Sequence, residues 1–349
     1  MNILFITDIL ERGGRERYLV EILRGCKEQG INTVTASFYA GKYESEYRKH
    51  TTLELLNRRN RYTLKHFAQY YNLIRKYNID IVHSLSLLGT CYIWGIARIT
   101  GCRFIEGSIQ NTGGETGIMS HLLTWFTNHS DLAIGNSMAG LKHYQVRDGF
   151  VIDNFIDLDR FTKQSSGDTG NIVMTANFTD KKDHETFFTA VIPLLEEGLL
   201  NGIYLLGKGP LLEKYQTRYA ASPLAGQIHF MGSLPNVEEV IANCDIGVLC
   251  STRRYKEGIS NSVLEYMAAG LIPVASDIGG TSEIIDHEVN GLLFECENPD
   301  DLQKKLRKLL NHQYDTTKLH ENARKKMADK FDYSKNIQKL FDFYKQLLD

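Results

Sequence analysis

The 349-residue chain lacks most of the short signals that settle a function at sight. Its six cysteines (Cys26, Cys91, Cys102, Cys244, Cys250, Cys296) include no CxxC pair. That excludes the usual zinc and disulfide frameworks and suits reduced thiols in a cytoplasmic protein. No stretch reaches the ~18 apolar residues of a membrane span. The nearest, Leu85 to Ile99, is broken by Arg98. No GxGxxG is present, so a dinucleotide site is not indicated, and no GxSxG elbow supports a hydrolase triad. The net charge of −2 gives no sign of a nucleic-acid partner. The start, Met1-Asn2-Ile3-Leu4-Phe5-Ile6-Thr7-Asp8, has no basic n-region and reads as a first strand rather than a signal peptide. Short repeats and low-complexity tracts are missing as well.

What is present is an ordinary globular composition, 42% apolar and 23% charged, over a length that suggests two domains of ~100–200 residues each. The halves differ in charge. Residues 1–155 carry 18 Lys/Arg against 14 Asp/Glu, and residues 156–349 carry 22 against 28. Short apolar runs alternate with longer helical segments. Asn2–Thr7, Thr33–Phe38, Ile79–His83, Arg103–Ser108, Leu132–Asn136 and Phe150–Ile152 predict buried strands. Arg15–Gln29 and Thr63–Tyr77 predict helices, the latter with Leu64, Phe67, Tyr71 and Ile74 along one face. The pattern then restarts with strands at Ile172–Ala176, Gly202–Leu206, Ile228–Met231, Ile246–Leu249, Ile272–Ala275 and Gly291–Phe294. Helices are expected at Asp183–Glu197, Asn236–Ala242, Pro299–Leu310 and Tyr333–Leu348. The alternation predicts an α/β protein of two parallel-sheet, Rossmann-like domains, 1–155 and 156–332, with a C-terminal helix at 333–349. Ligands of such sheets bind at the C-terminal ends of the strands, here expected in a cleft between the two sheets.

The densest segment is Lys256-Glu257-Gly258-Ile259-Ser260-Asn261-Ser262-Val263-Leu264-Glu265. Two carboxylates flank a glycine and three small polar residues, and an apolar run follows. Ser260, Asn261 and Ser262 suit a helix start, whose unpaired N–H groups and dipole favour a phosphate. Glu265 stands four residues after Asn261 and shares a face with that entrance. A nucleotide sugar has hydroxyls at both ends and phosphates between, and the segment matches that order.

Other motifs are ambiguous when taken singly. Gly13-Gly14 opens a helix after the first strand and lets backbone approach a phosphate, but it also makes a plain turn. Leu206-Gly207-Lys208-Gly209-Pro210 reads the same two ways. Lys182, in Lys181-Lys182-Asp183-His184, can meet a diphosphate as a point charge or simply be solvated. Asp157-Leu158-Asp159 looks like a DxD metal signature, yet no further ligand stands near, and it is expected to make a turn. His83 ends a strand, where either an acceptor-side or a structural histidine fits. Residues 48–76 hold eight Lys/Arg against Glu54, a solvated face or a peripheral contact with anionic lipid.

Taken together these motifs have a familiar order. Glu257 and Glu265 are separated by seven residues. Ala268-Ala269-Gly270-Leu271-Ile272-Pro273-Val274-Ala275-Ser276, then Gly279-Gly280 and Glu283, follow. With Gly13-Gly14, Asp80-Ile81-Val82-His83, Asn154, Asp157, Lys182-Asp183-His184 and Gly207-Lys208-Gly209-Pro210, nearly the whole chain resembles glycosyltransferase family four. Those are retaining, metal-independent enzymes of the GT-B fold. The resemblance implies transfer of a hexose-type sugar from a UDP- or GDP-linked donor to an acceptor hydroxyl, such as a saccharide or lipid-linked saccharide in surface-polysaccharide or glycolipid synthesis. No cofactor is implied beyond the donor itself. Location would be cytoplasmic, or peripheral at the inner face of the membrane.

The resemblance also assigns roles. Glu265 would hold the ribose and Glu257 the donor sugar near its anomeric centre. Gly258, Ser260, Asn261 and Ser262 would line the sugar and phosphates. Lys182 would neutralise the diphosphate, with Gly14 and Gly209 alongside, and the two domains would close over the donor. The C-terminal helix would return to the first domain. Two departures stand out. Asn177, in Ala176-Asn177-Phe178, occupies the place of a family arginine and offers only a neutral hydrogen bond; Arg15 or Arg253 could supply the charge. Gln110-Asn111 replaces a family histidine on the acceptor side, which argues against inverting chemistry and its need for a base. The alternatives are a non-catalytic nucleotide-sugar binder, favoured by the missing arginine, and an epimerase of similar fold, disfavoured by the Glu257–Glu265 motif. An NAD-dependent oxidoreductase lacks its glycine fingerprint.

Overall fold

The computed structural model describes residues 1–349 apart from 12, 57–64, 110–116, 162–168, 235 and 256. The described residues separate into two compact units, Met1–Asp153 with Ser334–Asp349, and Asn154–Tyr333.

Unit 1 holds the strands β1 (Asn2–Ile9), β2 (Asn32–Tyr39), β3 (Thr52–Leu55), β4 (Ile81–Ser84), β5 (Arg103–Ile109), β6 (Leu132–Gly135) and β7 (Gly149–Val151). They form a parallel sheet in the order β3-β2-β1-β4-β5-β6-β7. Its helices are α1 (Gly14–Glu28), α2 (Glu44–His50), α3 (Lys65–Tyr77), α4 (Leu87–Thr100), α5 (Ile118–Thr127) and α6 (Met138–His143). Ile3, Leu4, Phe5 and Ile6 are all buried, as a central parallel strand covered on both faces requires. Leu4 and Ile6 pack in one cluster with Tyr70, Ile74 and Ile93 from α3 and α4. Phe5 contacts the His83 ring at 5.4 Å, and His83 in turn contacts Tyr344.

Unit 2 repeats the plan with β8 (Asn171–Thr175), β9 (Gly202–Leu206), β10 (Ile228–Gly232), β11 (Ile246–Leu249), β12 (Ile272–Ser276) and β13 (Leu292–Phe294). Their order is β10-β9-β8-β11-β12-β13, again parallel. The helices are α7 (His184–Glu196), α8 (Leu212–Ala220), α9 (Val237–Ile241), α10 (Asn261–Ala268), α11 (Thr281–Ile284), α12 (Pro299–Leu310) and α13 (Thr316–Lys330). In each sheet the strand order reverses direction once, between β1 and β4 and between β8 and β11, which leaves a crevice at the C-terminal ends of those strands.

The last helix, α14 (Tyr333–Gln346), lies almost wholly in unit 1. Tyr344 bonds His83 at 2.8 Å, Lys339 donates to the Val151 carbonyl at 2.7 Å, and Phe343 meets Phe150 at 4.6 Å. The boundary falls two residues before the expected one. Asn154 already bonds inside unit 2, and Ile156 bridges Asp332 there.

Three sequence readings need correction. The strand β3 and the helix α13 were not anticipated. β3 is a four-residue edge strand inside the basic stretch, and α13 shows only Leu319, Ala323 and Met327 as its buried stripe. The inner face of α3 is His66, Tyr70, Leu73 and Ile74. Phe67 and Tyr71 point outward, because Tyr70 and His66 take the places against Phe38. The basic stretch 48–76 is described only in part. Arg48 and Lys49 pair with Glu44 and Glu46 on α2, Lys76 pairs with Glu54, and Arg58, Arg59 and Arg61 lie outside the described residues.

Candidate active site

The crevice of unit 2 collects most of the residues singled out above. The strand β8 is followed by Ala176-Asn177-Phe178, with Asn177 exposed. The glycine turn packs directly on this segment. Phe178 N–H donates to the Lys208 carbonyl at 2.9 Å, and Leu211 N–H to the Phe178 carbonyl at 3.1 Å. A Cβ at Gly209 would stand 2.3 Å from the Phe178 carbonyl oxygen, at a φ of +151°, so only glycine fits.

The lysine motif follows. Asp183 caps α7 by accepting the Thr186 N–H at 3.0 Å, while its own N–H donates to the Cys250 carbonyl at 3.1 Å. Lys182 forms a backbone bridge with Ser251, just past the end of β11. The result is a short loop-to-loop stitch across the crevice. His184 N–H (Nδ1) donates to the Lys182 carbonyl at 3.1 Å, and its ring stacks on Phe178 at 4.2 Å. Burial pushes the His184 imidazole down to about 4, so it is neutral near pH 7.

Glu257 comes to this stitch from the other side. Its Oε1 is ion-paired with Lys182 Nζ and accepts the Ser251 hydroxyl at 3.0 Å. Both partners of the pair are largely withdrawn from solvent. The loop behind Glu257 is pinned by Gly280, whose N–H donates to the Glu257 carbonyl at 2.8 Å. A Cβ at Gly280 would lie 2.7 Å from the Gly258 carbonyl oxygen.

Helix α10 begins at Asn261, with Ser260 as its cap residue, whose own side chain makes no capping bond. Its entrance is nonetheless fixed. Asn154 donates to the Ile259 carbonyl and to Asn261 Oδ1, both at 2.9 Å. The Ser262 hydroxyl donates to the Thr175 carbonyl at 2.7 Å, at the end of β8. Thr175 N–H donates to the Tyr266 hydroxyl at 2.6 Å, and that hydroxyl donates to the Val248 carbonyl at 3.2 Å. Glu265 is buried one turn inside the helix. The arrangement presents a cation, two carboxylates and a helix N-terminus at one strand edge, which can hold a polyol with an anion beside it.

Arg253 does not join Lys182. It lines a cavity of about 380 Å³ at the ends of β12 and β13, and its guanidinium pairs with Glu295 and Glu297, each at 3.3 Å. Asp157 Oδ1 accepts the Asp159 N–H at 3.1 Å and so makes a turn. Among the described residues no three His, Cys, Asp or Glu side chains converge.

Unit 1 has its own crevice, between β1 and β4. Gly13 caps α1 without a side-chain bond, and Gly14 opens the helix. Glu16 folds back over Gly13, close enough that a Cβ there would lie 2.3 Å from its Oε2. Burial raises the Glu16 carboxyl. Asp8 is hydrogen-bonded to the Ser86 hydroxyl, and Arg15 donates to the Leu85 carbonyl at 3.1 Å while pairing with Asp8 at 3.6 Å. His83 is not presented at this edge. It is buried, its Nδ1 meets the Tyr344 hydroxyl, and burial lowers it to about 3. The structural alternative for His83 therefore replaces the acceptor-side one. Gln110 and Asn111 lie outside the described residues.

Sequence reasoning missed Ser251, Tyr266 and Glu16. Ser251 had a signal, since it follows β11 at the strand-order reversal. Tyr266 had another in Gly247, where a Cβ would stand 2.2 Å from the Tyr266 ring.

Comparison with known proteins bears on the family and the fold. Residues 155–326 match the model for glycosyl transferases group 1, and residues 12–160 that for glycosyltransferase family 4. A GalNAc-alpha-(1->4)-GalNAc-alpha-(1->3)-diNAcBac-PP-undecaprenol alpha-1,4-N-acetyl-D-galactosaminyltransferase of Campylobacter jejuni is 23% identical over 94% of both chains. From the same organism, an N,N'-diacetylbacillosaminyl-diphospho-undecaprenol alpha-1,3-N-acetylgalactosaminyltransferase is 39% identical over 114 residues, 32% of this chain and only 28% of that protein. Among solved structures, Anabaena Alr3699/HepE in complex with UDP has a TM-score of 0.86 at 18% identity, covering 99% of this chain and 100% of that one. Sucrose-phosphate synthase from Thermosynechococcus elongatus has a TM-score of 0.83 at 16% identity, with 99% of each chain covered. The fold is GT-B, with two Rossmann-like domains.

Proposed function

The chain belongs to glycosyltransferase family four, and from that premise we propose a retaining transfer of a hexose-type sugar from a nucleoside-diphosphate sugar to an acceptor hydroxyl. The observation that carries the reading is the meeting of Lys182, Glu257 and Ser251 beside the start of α10. Lys182 and the first N–H groups of α10 supply positive charge for the diphosphate, so that no metal is required. Glu257 binds the sugar hydroxyls, and Glu265 the ribose. Asn177 and Gly209 lie along the phosphates. In the transfer, the bond from the anomeric carbon to the diphosphate oxygen breaks and a bond to the acceptor oxygen forms on the same face. The acceptor proton passes to the leaving diphosphate.

The donor base is proposed to be uracil, since the similar HepE structures hold UDP and UDP-glucose. The acceptor is proposed to be a lipid-linked saccharide, as the names of several relatives state for those proteins. Such an enzyme would work at the cytoplasmic face of a membrane in surface-polysaccharide or glycolipid synthesis. No described helix is long and apolar enough to cross that membrane.

A thermal-shift panel of UDP- and GDP-sugars tests donor binding, because a ligand of the native state raises the melting temperature. Release of UDP on adding diphospho-undecaprenol-linked saccharide, undiminished by chelator, tests transfer and its metal independence. A panel with no shift, or donor binding without release, would overturn the proposal.

A further inference from the structure

Asn177 stands where the family has an arginine, and Arg253 does not take over its charge, being held by Glu295 and Glu297. The groups gathered at the end of β8 are therefore short of positive charge. Lys182 is paired with Glu257, and Glu265 adds a second carboxylate one turn inside α10. Lys181 lies over the Tyr255 ring at 4.4 Å. One ammonium set against two carboxylates does not balance a diphosphate, which is held best by charge-assisted contacts.

Lys208 has the position to make up the difference. β8 and β9 pair in parallel, with Thr175 opposite Leu206. The ladder runs on beyond both strands. Ala176 N–H donates to the Leu206 carbonyl at 2.8 Å, and Phe178 N–H to the Lys208 carbonyl at 2.9 Å. That register sets Lys208 level with Asn177 on the adjoining segment, a strand spacing of about 5 Å away. The two glycines of the turn permit the approach. A Cβ at Gly207 would overlap the Ala176 carbonyl oxygen and stand 3.2 Å from Asn177 Cα, and one at Gly209 would overlap the Phe178 carbonyl oxygen. Between them Lys208 carries the one side chain of Gly207-Lys208-Gly209, and it is exposed. A lysine on a loose turn would be an ordinary solvated charge, but this one stands on backbone fixed against the segment that carries Asn177.

The same strand end meets the rest of the site. The Ser262 hydroxyl, in the first turn of α10, donates to the Thr175 carbonyl at 2.7 Å. Thr179 N–H donates to the Asn177 carbonyl at 2.9 Å, and Lys182 N–H to the Thr179 carbonyl at 3.1 Å, so a tight turn brings Lys182 back toward Asn177. Asn177 is thus bordered by the entrance of α10, by Lys182 and by Lys208. A lysine at 208 serves a phosphate as a point charge and does not need the guanidinium fork. We propose that Lys208 is the second cation on the donor diphosphate, in place of the arginine that Asn177 replaces. The assignment rests on the reading of a nucleoside-diphosphate donor.

The test is calorimetry of the full chain with UDP and with uridine. Lys208→Met should weaken UDP about tenfold, the loss of a charge-assisted contact, and leave uridine unchanged. Lys208→Arg should keep the affinity for UDP. Asn177→Arg placed in the Lys208→Met protein should recover most of the loss. High salt should narrow the gap between Lys208→Met and the unmodified chain. Arg254→Met, on the exposed loop after Ser251, should change neither ligand. Unaltered UDP binding in Lys208→Met would overturn the proposal. So would a loss shared equally by uridine, which would place Lys208 at the base or in the fold of the turn, a loss that Asn177→Arg does not recover, or a loss in Arg254→Met in place of Lys208→Met. If the unmodified chain binds UDP and Lys208→Met binds it as well, this inference alone falls. If the unmodified chain binds neither UDP nor GDP, the functional reading falls and takes this one with it.

Discussion

Lys182 Nζ is paired with Glu257 Oε1, and the same oxygen accepts the Ser251 hydroxyl at 3.0 Å. The two groups proposed to meet different parts of one donor are thus ion-paired with each other. The pair keeps a largely buried cation and anion compensated, where either alone would be costly. On the proposed roles, a diphosphate that takes Lys182 would release Glu257 and free the carboxylate for sugar hydroxyls. Ser251, itself buried and bridged to Lys182, would keep Glu257 in place during such an exchange.

This exchange separates the two variants. Lys182→Met should weaken UDP binding by about tenfold to a hundredfold, the worth of a charged hydrogen bond of ~1.5–3 kcal/mol. Glu257→Gln should leave UDP affinity unchanged or tighter, since Lys182 is released in advance, while turnover falls sharply. Calorimetry with UDP and initial rates read the two effects. If Glu257→Gln weakened UDP as much as Lys182→Met, the division of labour would be wrong.

Gly280 sits where the Glu257 loop has no spare room. Its φ of −86° is accessible to alanine, so backbone strain is not the issue. The obstacle is the Gly258 carbonyl oxygen, 2.7 Å from the new methyl. Gly280→Ala should push Gly258 and shift Glu257, lowering kcat at least tenfold by misplacement alone, an effect of the order known for ångström-scale errors. Far-UV circular dichroism should stay unchanged. Normal kcat in Gly280→Ala would show that the loop relaxes freely.

Most of the sheet order follows from runs that are apolar without interruption, such as Ile3-Leu4-Phe5-Ile6 and Ile272-Pro273-Val274-Ala275, because a strand buried on both faces leaves no alternation to misread. Elements whose burial is narrow escaped. β3 alternates over four residues only, and α13 buries three. The orientation of α3 was misread for a different reason. Its sequence offers aromatic residues on two faces, and only the packing of Tyr70 and His66 against Phe38 selects one. At the site, Glu257, Lys182 and the entrance of α10 stood out because their residue types sit at strand ends. The hydrogen bonds among them did not, since Asn154 and Ile259 are 105 residues apart and spacing carries no trace of such a contact.

Asn154 is a second point of control over α10. One amide satisfies both the Ile259 carbonyl and Asn261 Oδ1. Asn154→Ala leaves both acceptors buried or nearly so, at a cost of about 1–3 kcal/mol. The melting temperature should fall, and UDP affinity should fall with it, because the helix start loses its alignment. Asn154→Asp should do worse than alanine for the nucleotide, placing a carboxylate near the phosphates. Thermal melts with and without UDP read both, and an Asn154→Ala protein with normal UDP affinity would separate the joint from the site.

Two buried groups in unit 1 set opposite limits on pH. Glu106 accepts the Ser108 N–H at 2.8 Å and bonds the Thr90 hydroxyl at 2.5 Å, and burial raises its carboxyl from 4.5 to about 7. The folded state thus keeps a proton that the unfolded state gives up, so stability is full below 4.5 and is lost as pH rises through about 7. His83 works the other way. Burial lowers it from 6.5 to about 3, so its contribution is present above 6.5 and is lost as pH falls toward 3. The two windows, 4.5 to about 7 for Glu106 and about 3 to 6.5 for His83, overlap with opposite slopes, each of at most about 1.4 kcal/mol per pH unit. Glu106→Gln keeps a side chain that can accept from Ser108 and cannot ionise. It should remove the fall in melting temperature that Glu106 adds as pH rises from 4.5 to about 7, and leave the slopes below 4.5 and above 7 unchanged. His83→Asn should flatten the acid side alone, whatever its overall cost to stability. Melting curves taken across the range for both variants decide the matter, and a slope between 4.5 and 7 that Glu106→Gln leaves unchanged would remove Glu106 as a source.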